Sequence, residues 1–230
     1  MNSIPEIRPW KVLLVTSVLA LGLWADLYTE IPGQFAIGLV VWALLLWLLA
    51  PLPPQARMVF FACVTIATAG ELFLSLGWGL YVYRLENVPL FVPPGHVLML
   101  LLGIGLSRRM PEAAARAILG LAGAYALAAW SFGWDTLAVP LFLVIMVAVL
   151  ALPSHRRLFA STFILCLGLE LYGTTLGNWS WEHDVPWVGL VTTNPPALAG
   201  AFYCALDALV LAALTLRVVA RQRAVAVAAT

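Results

Sequence analysis

Three carboxyl side chains stand inside long apolar runs of this 230-residue chain: Glu71, Glu170 and Asp207. An ionisable group at such depth is expensive to keep and by default marks function, with a partner facing the protein interior. Apolar surroundings favour the neutral form of a carboxyl, and that form is a general acid. Proton donation to an isolated alkene would create a tertiary carbocation, which the faces of aromatic rings stabilise through their quadrupoles. Such rings stand nearby in the sequence at Tyr81, Tyr83, Trp179 and Trp181. Loss of a proton would then give an isomer or a ring, and addition of water a tertiary alcohol. The other reading of each carboxyl is a neutral acid hydrogen-bonded to a Ser, Thr or Tyr on a facing helix, and the residues leave both open.

The two glutamates open related stretches. Glu71 to His96 reads "ELFLSLGWGLYVYRLENVPLFVPPGH", and Glu170 to Pro196 reads "ELYGTTLGNWSWEHDVPWVGLVTTNPP". Each runs from a carboxyl through Leu-Gly and an aromatic cluster to Val-Pro and then Pro-Pro. His96 follows the first Pro-Pro and Asn194 precedes the second. A polar side chain beside prolines, which disturb a helix, suits the lining of a cavity or a helix cap. Asn194 leans to the cap, the usual role of Asn at a helix start.

Composition sets the class of protein that must hold these groups. The chain is 63% hydrophobic and 10% charged, with mean hydropathy +0.98, far from the roughly 25% charged content of soluble domains. It reads as an all-α, polytopic membrane helix bundle. Apolar runs predict about eight spans, at 12 to 28, 35 to 50, 58 to 82, 91 to 106, 113 to 131, 136 to 152, 159 to 177 and 194 to 216. The first run lacks a small-x-small cleavage site and reads as a retained helix. On this scheme Glu71 is about 12 residues from the outer end of its helix and close to mid-membrane, Glu170 is nearer the surface, and Asp207 is near the middle.

Cytoplasmic loops carry the excess of Lys and Arg. Of the twelve positive residues, eleven fall on the side of the N-terminus: Arg8, Lys11, Arg57, Arg108, Arg109, Arg116, Arg156, Arg157, Arg217, Arg221 and Arg223. Arg84 falls on the other side. Both termini are thus expected in the cytoplasm, and the location an inner (cytoplasmic) membrane. Glu30, Glu86, Asp135, Glu182 and Asp184 fall in or beside the outer loops, whereas Glu6 and Glu112 are inside. The doubled stretches lie four helices apart, an even number, so the halves point the same way. The expected architecture is a 4 + 4 parallel tandem repeat, with residues 1–110 as the first four-helix repeat and 111–230 as the second.

Other chemistries find no support. Net charge +1 offers no basic patch for nucleic acid, and Cys63, Cys166 and Cys204 sit in apolar runs as small hydrophobes. Three histidines, none paired at i, i+4, give no metal site, and His155 joins a positive cluster with Arg156 and Arg157. There is no Walker loop, dinucleotide fingerprint, HExxH, GxSxG or haem attachment motif. No cofactor is expected. The expected partners are membrane lipids, an apolar lipid or isoprenoid substrate, and a second copy or a membrane-complex subunit.

"GWGLYVYRLENVPLFVP" (Gly77 to Pro93) resembles the Gly-x-Tyr-x-Tyr…Val-Pro-Leu-x-x-Pro segment of the integral-membrane carotenoid biosynthesis proteins, which include carotenoid hydratases. "NWSWEHDVPWVGLVTTN" (Asn178 to Asn194) is similar to that family's later Trp-x-Trp…Val-Pro…Asn segment. The resemblance spans about 60 of 230 residues. It departs from the family at Pro94-Gly95-His96, where a Trp-containing stretch is expected. It implies a multi-helix enzyme hydrating, isomerising or cyclising a carotenoid or similar long apolar lipid, with Glu71, Glu170 and His96 in acid–base roles. Tyr81, Tyr83, Trp179, Trp181, Asn194 and Asp207 would then contact substrate. Two other readings stay open from the residues: a small proton-coupled transporter, since mid-membrane carboxyls suit proton coupling, and a structural subunit of a membrane complex.

Overall fold

A computed structural model describes residues 8–228, with side chains described through residue 214. Glu6 lies outside the described residues, as do the side chains of Arg217, Arg221 and Arg223. Eight α-helices follow one another: α1 (Pro9–Asp26), α2 (Ile31–Leu49), α3 (Pro54–Glu71), α4 (Val92–Ser107), α5 (Glu112–Phe132), α6 (Ala138–Ala151), α7 (Arg156–Leu176) and α8 (Gly200–Ala228). Proline sits in the first turn of α1 to α4, where its missing N–H is no loss and its fixed φ is already helical. Gly177 closes α7 in the left-handed conformation, φ 86°, which glycine adopts without a Cβ clash.

Five helical segments are long and apolar enough to cross a membrane: α1, α2, Pro54–Gly77, α5 and Pro153–Leu176. α4, α6 and Gly200–Leu214 are shorter apolar helices. Large apolar side chains such as Leu13, Phe35, Leu121, Leu127, Val147 and Leu150 project outward from the helices, as expected of helices whose surroundings are themselves apolar.

α3 packs on α4 and α8, and α7 packs on the same two helices, so these four close into a ring. α1 and α2 flank the ring against α4, and α5 and α6 flank it against α7 and α8. The last turns of α3 and α7 and the first turns of α4 and α8 meet at one end, where the connections form two short antiparallel ribbons. β1 (Tyr81–Tyr83) pairs with β2 (Trp179–Trp181), and β3 (Asp184–Val185) with β4 (Leu190–Val191). Lys11, Arg57, Arg108, Arg109, Arg156 and Arg157 belong to the opposite end, where Arg156 donates to Glu112 at 2.5 Å.

Two expected spans are corrected. The third ends at Gly77 rather than at residue 82, because the chain leaves α3 through a π-helical turn, Leu72–Gly77, and then becomes strand β1. The eighth begins at Gly200 rather than at residue 194.

The ribbon end is locked by a polar cluster that the sequence reading did not assemble. Asp26, 1% exposed at the end of α1, accepts from Gln34 Nε2 at 3.0 Å, Asn178 Nδ2 at 3.0 Å and Arg84 Nε at 3.4 Å. Arg84 Nη2 donates to the carbonyls of Asp26 and Thr29. Arg84, the one Lys or Arg at the ribbon end among the described residues, is therefore held by a buried carboxylate. Asp135, between α5 and α6, is also buried but faces no cation: it accepts from the hydroxyls of Tyr125 at 3.2 Å and Thr192 at 3.0 Å. Burial raises its carboxyl above the ordinary aspartate value, outweighing the hydrogen bonds from Thr192, Tyr125 and the Ala138 backbone N–H.

Candidate active site

Strand geometry delivers the four aromatic donors. Side chains alternate across a strand, so Tyr81 and Tyr83 of β1 point inward while Val82 points out, and Trp179 and Trp181 of β2 do the same around Ser180. The antiparallel register places Tyr81 opposite Trp181 and Tyr83 opposite Trp179. The Tyr81 and Trp181 ring centroids are 4.7 Å apart.

Each pair converges on one glutamate. Tyr81 and Tyr83 both donate from their hydroxyls to Glu71 Oε2 at 2.7 Å. Trp179 and Trp181 donate from their indole N–H groups to Glu170 Oε2 at 2.8 and 3.0 Å. Glu71 is six residues from the end of its helical run at Gly77, and Glu170 six from the end of α7 at Leu176. The two carboxyls thus sit at matching depth near the ribbon end, which corrects the expectation that Glu71 lies deeper. The π-helical turn after Glu71 is part of the reason, since π turns re-aim side chains and recur at functional sites. On the other side, Gly173 admits the second strand's ring: a Cβ there would lie 2.0 Å from the Trp179 indole.

His96 completes the Glu71 group. It lies in the first turns of α4, and its Nδ1 is 3.0 Å from the Val92 carbonyl. A carbonyl only accepts, so Nδ1 carries a proton and Nε2 faces Glu71 Oε1, 3.2 Å away. One proton is then shared along that contact, either as carboxyl to imidazole or as imidazolium to carboxylate. The imidazole also lies flat on the Tyr203 ring, centroids 4.6 Å apart and planes 11° apart. Glu170 differs: its Oε1 meets no hydrogen-bond partner among the described residues.

These groups line one cavity of about 250 Å³ walled by α1, α2, α3, α4, α7 and α8. Glu71, His96, Glu170, Tyr203 and the four ribbon aromatics supply its chemistry, and aliphatic side chains such as Leu19, Val41, Ile66 and Leu206 supply most of the rest. A wall of this kind desolvates what it encloses and strengthens every polar contact inside it.

Not every anticipated residue arrives. Asp207 accepts from Thr162 Oγ1 at 2.8 Å between α8 and α7 and is not among the cavity-lining residues; the hydrogen-bonded structural acid is the reading that fits its surroundings. Asn194 lies six residues ahead of α8, so it is no N-cap. Its Oδ1 accepts the Trp181 backbone N–H at 3.1 Å and its Nδ2 donates to Ser180 Oγ at 3.3 Å, which props β2 from outside the cavity. Tyr203 was missed. Aligning the two stretches on Pro-Pro pairs the region of His96 with Asn194, whereas counting from the helix starts reaches Cys204, the residue after Tyr203, in "GAFYCALD".

Among the described residues, no three His, Cys, Asp or Glu side chains converge as metal ligands. No protein-family model, no curated protein and no solved structure matches this chain.

Proposed function

We propose that the chain is a membrane-embedded acid–base enzyme acting on the alkene of an isoprenoid, carotenoid or similar long apolar lipid. In this reading it spans an inner membrane eight times as a 4 + 4 parallel repeat with both termini in the cytoplasm. The repeat is supported by the matched depth of Glu71 and Glu170 and by the antiparallel pairing of β1 with β2, which is what an axis along the membrane normal would relate.

The observation that carries the proposal is the contrast between two carboxyls in one apolar cavity. Glu170 Oε2 is saturated by two indole donors, which leaves Oε1 as the oxygen that carries the acid proton towards the cavity. That proton passes to an alkene carbon: the π pair forms the new C–H bond, and the neighbouring carbon becomes a tertiary cation beside the rings of Trp181, Tyr81 and Phe202. The Glu71 group receives the proton that is released. A proton leaving the carbon next to the cation, or a water attacking it, reaches a phenol oxygen of Tyr81 or Tyr83 as that phenol's own proton moves to Glu71 Oε2, 2.7 Å away. His96 holds the second proton of the pair at Nε2. Loss from carbon gives isomerisation or cyclisation, and capture of water gives hydration.

The largely aliphatic wall supports a hydrocarbon substrate over an aqueous permeation route. The test is extraction and mass spectrometry of apolar lipids from a host making acyclic carotenoids, expressing the wild type, Glu170→Gln or Glu71→Gln at equal protein level. A product heavier by one water, or isomeric with the host carotenoid, made by the wild type and absent from both variants is the expected result. An unchanged lipid profile in the wild type would sink the reading.

A further inference from the structure

The cavity is short of room for the substrate class it suits. At about 250 Å³ it lies below the roughly 300–1,000 Å³ of sites that enclose a drug-sized molecule. A long isoprenoid places its reacting end there and needs a second berth for the rest of its chain.

Such a berth lies on the far side of one helix turn. An apolar groove of about 760 Å³ runs between α6 and α8, floored by Ala148 and Ala151 from α6 and Ala208 and Ala212 from α8. Ala205 and Leu209 line both the groove and the cavity. They are four apart and so stack on one face of α8, and both spaces touch that face. One of its two positions offers only a methyl group, and the other, Leu209, is 55% exposed.

We propose that the α6/α8 groove binds the distal hydrocarbon of a linear, long-chain substrate whose reacting end stands at Glu170, the chain crossing α8 over Ala205. This rests on the acid–base reading above and narrows its substrate to chains that are thin and unbranched by rings at the crossing. A bulky ring system fits neither the crossing nor the small cavity.

The test measures binding of radiolabelled farnesol and solanesol, a short and a long all-trans prenol, to full-length protein in phospholipid nanodiscs. Ala208→Phe fills the groove without entering the cavity, and Ala212→Phe does so one turn further along. Expected is a loss of solanesol affinity of at least about tenfold in either variant, the affinity that burying two methylene groups supplies, with farnesol affinity within about twofold of wild type. Solanesol binding as tight in both variants as in wild type overturns the proposal and leaves the groove to ordinary bilayer lipid. A wild type that binds neither prenol also overturns the proposal and leaves the acid–base reading to the lipid-profile test above, so the two failures are told apart.

Discussion

The His96 imidazole lies flat on the Tyr203 ring, 4.6 Å between centroids, while its two nitrogens are fixed by Val92 and Glu71. Backbone carbonyl, carboxyl and ring face together leave the imidazole one orientation, and a general acid or base works only when held within hydrogen-bond reach of its partner. Tyr203→Phe keeps the stacked face and is expected to retain activity within a few-fold. Tyr203→Ala lets the ring tilt and opens a void against the core, so activity should fall about tenfold or more and the melting temperature should fall with it. Product formation per milligram of membrane protein, with a thermal melt on the same samples, checks both.

Glu170 and Glu71 should fail differently. Glu170→Gln keeps an oxygen for the two indoles but has no proton to donate, so activity should drop by about 10²–10⁴-fold, the usual contribution of a general acid. Glu71→Gln cannot share a proton with His96, and Gln Nε2 donates towards an imidazole that must then present a lone pair. Its loss should be accompanied by a changed pH–rate profile, whereas Glu170→Asp should recover part of the activity without such a change. Equal rates for wild type and Glu170→Gln would remove Glu170 from the chemistry.

Gly173→Ala tests whether the indole pair is set by helix packing. The added methyl meets the Trp179 ring at 2.0 Å, far inside contact distance, so the ring or the strand must move. Overpacking of this kind costs about 1–3 kcal/mol, and the Trp179 bond to Glu170 should be lost with it. A variant that melts like the wild type and keeps its activity would show that β2 has slack the packing does not suggest. Ala199→Gly, on a wall of the same cavity, serves as a control for nonspecific loosening.

How much of this was legible depends on how local the signal is. The helices, the gathering of Lys and Arg between the same helix ends and the recurrence of a carboxyl ahead of an aromatic cluster follow from composition and short-range pattern, because each is written within one segment. Tyr81–Tyr83 reads equally as the end of a helix at a membrane interface, where aromatics gather, and only pairing with Trp179–Trp181, about a hundred residues on, makes it a strand. The π turn after Glu71 leaves no mark that separates it from an α turn. Asp207 misled for a related reason: a carboxyl in an apolar run looks the same whether it faces a cavity or a threonine on the next helix. The Asp26 and Arg84 pair was hidden by spacing, since its two halves and the Asn178 that joins them come from three separate stretches.

Asp26 and Asp135 make a final comparison, because both are buried carboxyls at the ribbon end and only one faces a cation. Removing the charge from Asp26 leaves Arg84 without its carboxylate in a site where Arg84 is 22% exposed, and breaking a buried pair from one side costs about 3–5 kcal/mol. Asp26→Asn should therefore destabilise by roughly 3 kcal/mol. Asp135 has no such partner, and its carboxyl titrates above the ordinary aspartate value because it is buried. In the unfolded chain the proton leaves first as pH rises, so ionisation favours unfolding, and the penalty grows until pH passes the folded value. Asp135→Asn removes that penalty while its amide still accepts from one of Tyr125 and Thr192 and donates to the other. At neutral pH it should match or exceed the wild type to within about 1 kcal/mol, and its stability should no longer decline between acid and neutral pH. Urea melts of the two variants in the same detergent, at about pH 4 and pH 7, separate these outcomes, and an Asp135→Asn protein as unstable as Asp26→Asn would mean that Asp135 works as an ion and not as a buried acceptor.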